Sequence, residues 1–180
     1  MSAHAASALP SALPHSAAET HALIIERFGP FLYHGSAATP AQALAWLAEG
    51  LKPQNGADYV WLGSREVAGG YADERCSGRA GAQPTVFQID LQLIAPERLR
   101  ADEQLGFHDH YKRLAGASPF AGPPEDEEEW RYSIYEQVHD EMERDPEYAA
   151  RPEHVWRSYA ETGNLAVEGA IPAAALSLAD

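Results

Sequence analysis

Strand and helix patterns alternate along this chain, and the connections between them are short. Phe31-Leu32-Tyr33 predicts a strand that stops at His34. Thr39-Pro40 predicts the start of a helix that Gly50 ends, because Thr can cap the helix and Pro fits its first turn. Parallel neighbouring strands need crossovers of a dozen or more residues, and several connections here are shorter. The order therefore predicts an α+β fold.

The remaining elements continue this order. Residues 59–62 and 86–91 predict strands, the second of them central in the sheet because of its β-branched and aromatic content. Ser64 can cap a short helix between these strands. Residues 102–159 are predicted to be mainly helical, and residues 164–171 predict a last strand that Pro172 ends.

Length and composition predict one folded domain over residues 20–180. Residues 1–19 are mostly Ala, Ser and Pro, and such a segment buries too little surface to offset the entropy of ordering, so we expect a disordered tail. No window resembles a membrane span or a classical signal peptide, which predicts a cytoplasmic protein or one secreted by another route. Cys76 is the only cysteine, so an intrachain disulfide is excluded.

The net charge is −14, and it is distributed unevenly. Residues 121–150 hold eleven Asp and Glu against two Arg, which predicts an acidic helical insertion. Such a segment is usually a solvated surface, but it can also steer a basic protein or a cationic small molecule. A nucleic-acid partner is disfavoured because phosphate backbones are bound mainly by Lys and Arg.

Four motifs occur in order between residues 29 and 72. They are the strand ending Tyr33-His34-Gly35-Ser36, the helix ending Gly50-Leu51-Lys52-Pro53, the strand Val60-Trp61-Leu62-Gly63 and the helix containing Tyr71-Ala72. This set resembles the ADP-ribosyltransferase superfamily. The resemblance implies split antiparallel β-sheets with flanking helices, NAD⁺ as the substrate and no metal.

The resemblance also implies roles for individual residues around NAD⁺. Tyr33, Ser36 and their neighbours form the pocket, in which His34 contacts the ribose and Gly35 the carboxamide. Trp61 and Tyr71 stack on the nicotinamide ring, a flat cation that aromatic faces attract. Both aromatic residues could equally be core residues. The sequence contains neither a phosphate-binding glycine loop nor a Rossmann fingerprint, so NAD⁺ would be held without either.

The C-terminal strand departs from the family pattern. When the chain is aligned on Gly169-Ala170-Ile171-Pro172, Asn164 stands where many members have a catalytic Glu. An Asn can hold a hydroxyl but cannot accept a proton as a base. The alternatives are Glu161 or Glu168 from a shifted register, or an acid from another loop. In the rifamycin-modifying branch, which lacks the Glu, an Asp after the third strand fills the role; the comparable position here is around Asp102-Glu103, and Asp102 is the favoured candidate.

The sequence thus predicts NAD-dependent mono-ADP-ribosyl transfer to a protein or small-molecule acceptor, with release of nicotinamide. A non-catalytic module that binds NAD⁺, ADP-ribose or a partner protein is an alternative, and NAD⁺ hydrolysis by a toxin is another. The branch that removes a 2′-phosphate from RNA resembles the chain less, because that chemistry uses several Arg. His108-Asp109-His110 is interpreted as exposed polar surface, since residues two apart on a helix face different ways.

Overall fold

A computed structural model of the chain describes residues 13–54, 56–109, 136, 138–140, 144, 145 and 147–179, and the backbone of 110–115. Within these residues the α-helices are α1 (Ala17–Phe28), α2 (Pro40–Glu49), α3 (Arg65–Cys76), α4 (Glu103–Ala115) and α5 (Pro152–Thr162). The strands are β1 (Phe31–Ala38), β2 (Tyr59–Gly63), β3 (Gln83–Asp90), β4 (Leu99–Ala101), β5 (Asn164–Glu168) and β6 (Leu176–Leu178). The predicted α+β class is confirmed.

The described strands form one antiparallel sheet in the order β4-β5-β2-β1-β3-β6. The expected split into separate sheets is therefore corrected, because β1 and β2 pair with each other and connect the two halves. β3 lies next to the edge strand β6 rather than at the centre. The central pair is β1 and β2, which carry the predicted pocket motifs.

Two helix starts follow local capping chemistry. Thr39 and Gln42 form a capping box, in which each side chain accepts the backbone N–H of the other, and Gly50 ends α2 as predicted. Ser16 caps α1 by accepting the N–H of Glu19, so helix begins at Ala17, inside the segment predicted to be a disordered tail. The Ser-x-x-Glu pattern decides this start despite the Ala-rich composition. Residues 1–12 of that tail lie outside the described residues.

The predicted first strand is longer than its sequence pattern suggests. β1 continues from Phe31 through His34 to Ala38, and it pairs with β3 along its whole length. The Gly and Ser that indicate a turn are thus held in extended backbone by pairing with a distant strand. His34 consequently lies within a strand and not at its end.

β1 and β2 pair with each other over fewer positions than each does with its other neighbour. Their described register is the pair Tyr33↔Gly63, whereas β1 and β3 pair over eight positions and β2 and β5 over five. Strands that diverge from one short contact leave unfilled space beside it. The centre of the sheet is therefore a place where a cavity can form.

The sheet is covered on both faces. On one face, core residues of the strands pack with α1 and α5, whose Ile24, Trp156 and Tyr159 are buried. On the other face α3 lies directly on β1, since a Cβ added to Gly35 would be 1.8 Å from the carbonyl oxygen of Ala68. Only a residue without a side chain allows this approach.

The predicted acidic insertion, residues 121–150, lies mostly outside the described residues. Among the helices described, none is both long enough and apolar enough to cross a membrane.

Candidate functional site

A cavity of about 530 Å³ lies beside the β1–β2 junction, within the size range of small-molecule sites. Its wall comes from β1, β2, α3, the α2–β2 loop and the start of α4 and β5. Of the predicted site residues, it includes Tyr33, His34, Gly35, Ser36, Trp61, Tyr71, Asp102 and Asn164. Residues more than a hundred positions apart in the chain therefore meet around one space.

The His34 ring bridges the junction between the strands. Its Nδ1–H donates to the carbonyl oxygen of Trp61 at 2.8 Å, which fixes the tautomer because a carbonyl can only accept. Burial lowers the pKa of His34, an effect that the Trp61 carbonyl opposes and the nearby charge of Arg75 increases. A neutral ring leaves Nε2 as a hydrogen-bond acceptor, and His34 lines the cavity.

Trp61 and Tyr71 present aromatic surface to the cavity. Val60 and Leu62 of β2 are buried, while Trp61 between them is 40% exposed, as strand alternation requires. Tyr71 on α3 is 42% exposed. Neither ring belongs to the described hydrophobic core, and the Arg75 guanidinium lies over part of the Tyr71 ring.

Gly63 makes room for the side chain of Asn164 in the cavity wall. Gly63 pairs with Asn164 across β2 and β5, and a Cβ on Gly63 would lie 3.2 Å from the Asn164 Oδ1 atom. The same Cβ would lie 3.1 Å from Val67 on α3. Glycine at this position therefore lets the Asn164 amide sit between strand and helix.

Asp102 is a buried carboxylic acid in the cavity wall, with 8% of its surface exposed. It precedes α4, and its Oδ1 accepts the N–H of Gln104 at 2.7 Å, as a helix cap does. Burial raises the pKa of Asp102 to about 6; the Gln104 hydrogen bond opposes this rise and the charge of Glu103 adds to it. The group is thus able to exchange protons near neutral pH.

Ser158 on α5 connects Asp102 with Asn164. Its fully buried Oγ accepts the backbone N–H of Asp102 at 2.8 Å and donates to the backbone carbonyl of Asn164 at 2.8 Å. Gly163 ends α5 in the left-handed conformation, φ 75°, and β5 starts at Asn164 immediately after it. One hydroxyl therefore holds both of these residues of the cavity wall in place. The sequence pattern contained no indication of this connection.

The two alternative glutamates lie elsewhere. Glu161 on α5 does not line the described cavity; its carboxylate accepts from Arg157, which also binds Asp109, and it lies 3.1 Å from the His108 ring. Glu168 is exposed and pairs with Arg100. The carboxylates of Asp109 and Glu161 thus share the guanidinium of Arg157 as their counterion.

Sequence reasoning missed several charged and polar groups of the wall. They are Lys52, Gln54, Arg75, Arg79 and Gln104. Lys52 stands inside the Gly-Leu-x-Pro motif, and Arg75 follows Tyr71 by one helical turn, a spacing that places both on the same side of α3. That spacing could have identified Arg75.

The fold and the cavity define an α+β protein with a candidate ligand site at the centre of an antiparallel sheet. No match to this chain was found among protein-family models, curated proteins or solved structures. Function therefore has to be argued from the site itself.

Proposed function

We propose that the protein transfers ADP-ribose from NAD⁺ to a protein or small-molecule acceptor and releases nicotinamide. The observation that carries this proposal is the convergence of His34, Trp61 and Asp102 on one cavity of about 530 Å³. The three residues come from separate motifs, and each supplies a different group that NAD⁺ needs. They are a hydroxyl-binding nitrogen, an aromatic face and a carboxylate.

The pairing of the central strands adds a general observation. β1 and β2 share the register pair Tyr33↔Gly63, whereas each pairs over more positions with its other neighbour, and the cavity lies beside this short junction. A site for a small ligand is therefore located where the pairing of the sheet is least extensive.

The proposed reaction uses the chain's residues in distinct roles. Trp61 and Tyr71 hold the nicotinamide ring, and His34 Nε2 accepts from a ribose hydroxyl. The bond between ribose C1′ and the nicotinamide nitrogen breaks, and nicotinamide leaves with the electron pair. The acceptor's nucleophile forms the new bond to C1′, and its proton passes to the Asp102 carboxylate. That carboxylate also stabilises the positive charge that develops on the ribose.

A single experiment tests the proposal. The protein is incubated with NAD⁺ and candidate acceptors, and free nicotinamide is measured over time. We expect release from the wild type and a loss of roughly 100-fold or more in His34→Ala. His21→Ala is the matched control, because this ring also bonds a backbone carbonyl, that of Leu91, but lies outside the cavity wall. Absence of release with every acceptor and with water would refute the proposal.

Asn164 favours a second candidate, a module that binds NAD⁺ or ADP-ribose without reacting. Its amide lies in the cavity wall at the position where the family pattern has a Glu, and an amide cannot act as a base. Calorimetry separates the candidates, because the module predicts binding of NAD⁺ without nicotinamide release. Activity that appears only in Asn164→Glu would favour the module and indicate that the rest of the pocket is competent.

A further inference from the structure

The cavity wall carries three cationic side chains in a strongly acidic protein. Lys52 comes from the α2–β2 loop, Arg75 from the last turn of α3 and Arg79 from the turn that follows. The guanidinium of Arg75 lies over the Tyr71 ring, 4.8 Å from its centroid, and donates to the Tyr71 hydroxyl. Arg75 is therefore held against the same ring that faces the cavity.

Within the described part of the chain these cations have no acidic partner, as is also true of Arg65 and Arg98 outside the cavity wall. Asp and Glu outnumber Lys and Arg by 27 to 13 in the chain, and in its described part Arg100, Arg144, Arg151 and Arg157 pair with carboxylates. Among the described residues, Lys52, Arg75 and Arg79 have no carboxylate within 4.0 Å. Three cations without acidic partners around one cavity leave their charge available to an anionic ligand.

The residues of α3 that line the cavity show where its polar and charged groups lie along this helix. Val67 approaches the Gly63–Asn164 pair near the start of the helix, and Tyr71 and Arg75 follow at one-turn intervals. Eight residues of α-helix rise about 12 Å. Asn164 and, through Ser158, Asp102 therefore lie near the start of α3. Arg75 lies about two turns further along this helix, close enough to His34 to lower its pKa.

We infer that Arg75, Arg79 and Lys52, which line the same cavity, form a subsite for the diphosphate of a dinucleotide. This inference rests on the proposed function but assigns a property that the family motifs do not contain, the selection of a diphosphate over a monophosphate. Guanidinium groups suit this task because they donate several hydrogen bonds to phosphate oxygens. A ring beneath Arg75 limits its rotamers and reduces the entropy lost on binding.

Binding of ADP and AMP to the full chain, measured by calorimetry at low salt, tests the subsite. The two ligands share the adenosine and differ by one phosphate. We expect ADP to bind about tenfold more tightly than AMP, and Arg75→Ala to weaken ADP binding at least about fivefold. Arg65→Ala is the matched control, since it removes the same charge from the first turn of the same helix, outside the cavity wall. Unchanged thermal unfolding verifies that each variant is folded.

Failure of the diphosphate subsite can be distinguished from failure of the proposed transferase activity. Equal binding of ADP and AMP, equal effects of Arg75→Ala and Arg65→Ala, or tighter binding of a nucleoside 2′-monophosphate than of ADP would each overturn the subsite. NAD⁺ turnover with such results would leave the proposed function intact. Conversely, Arg75-dependent ADP binding without nicotinamide release would support the subsite and refute the transferase.

Discussion

Asp102 combines a structural and a chemical role in one side chain. It caps α4 through the N–H of Gln104, and it lines the cavity with a pKa raised to about 6. Asn is as good a helix cap as Asp but cannot accept a proton. Asp102→Asn therefore separates the two roles within a single substitution.

We predict that Asp102→Asn lowers kcat by roughly 100-fold or more while preserving the fold. In the wild type the rate should fall as the pH drops below about 6, because the carboxylate becomes protonated there.

Although Asp102→Asn should be less active than the wild type, it should be more stable. Since the folded-state pKa is raised, the ionised group costs stability above that pH, and Asp102→Asn should gain on the order of 1–3 kcal/mol at pH 7–8.

Rate–pH profiles and urea unfolding of both proteins provide the measurements. The gain in stability should shrink as the pH falls from about 6 to below 3.8, the ordinary pKa of Asp, because below that pH the wild-type carboxyl is protonated in folded and unfolded chains. Asp102→Ala, which removes the cap as well, is the control and should be less stable than Asp102→Asn. A loss of stability in Asp102→Asn with full activity would assign this residue to capping alone.

Ser158 is expected to act at the site without touching a ligand. Its hydroxyl satisfies the Asp102 N–H and the Asn164 carbonyl, both of which lose a partner in Ser158→Ala. We predict a loss of about 1–3 kcal/mol in unfolding free energy. The acidic limb of the rate–pH profile should also move, because the backbone that carries Asp102 is released. Ser158→Cys, similar in size but a weaker hydrogen-bond donor, should have a stability between those of the wild type and Ser158→Ala. A loss of stability without a shift in the rate–pH profile would limit Ser158 to a structural role.

At the scale of elements, α3 approaches β1 closely at Gly35. A Cβ at Gly35 would meet the Ala68 carbonyl oxygen at 1.8 Å, and backbone cannot rotate away as a side chain can. Gly35→Ala should therefore push α3 off the strand, costing about 2–4 kcal/mol and disturbing the Tyr71 side of the cavity.

Gly69 provides a matched control on the same helix, because a Cβ there meets nothing within 4 Å. Gly69→Ala should stabilise the protein by about 0.5–1 kcal/mol through helix propensity. Denaturant unfolding of both variants measures the contrast. Equal small effects would mean that α3 moves aside without cost, contrary to the close packing described above.

The elements that could be predicted from sequence are those fixed by neighbouring residues. Thr39, Pro40 and Gly50 determine α2 within a few positions of the chain, and the structure follows them. β1 was predicted too short because its extension through Gly35 depends on pairing with β3, some fifty residues away. Local propensity carries no information about such a partner.

The residues of the candidate site likewise include some that could be predicted from sequence and others that depend on tertiary structure. His34, Trp61 and Asn164 could be chosen from motifs, and they line the cavity together. The link from Asp102 to Asn164 through Ser158 arises from the packing of β4 beside α5 and β5, which brings Asp102 to a segment more than fifty residues later in the chain. The grouping of Lys52 with Arg75 likewise depends on tertiary structure, since the two are 23 positions apart in sequence.

At the scale of the whole molecule, the cavity spans the narrowest connection of the sheet. Tyr33↔Gly63 joins β1 to β2, and the wall also includes α3 and the starts of α4 and β5. A ligand there contacts both halves of the sheet at once. Its binding should therefore stabilise the entire fold and not a single loop, because both halves must be in place for the site to exist.

NAD⁺ at a concentration of 100 times its Kd should raise the unfolding free energy by about 2.7 kcal/mol. For a chain of this length that corresponds to a Tm increase of roughly 5–10 °C. Nicotinamide, which contacts only part of the cavity, should give a smaller shift at the same concentration, and His34→Ala should reduce the shift with NAD⁺. Thermal unfolding followed by circular dichroism measures all three. A Tm that does not respond to NAD⁺ at millimolar concentrations, in a protein that unfolds cooperatively, would argue against NAD⁺ as the ligand of this cavity, since any ligand that binds only the folded state must raise the Tm.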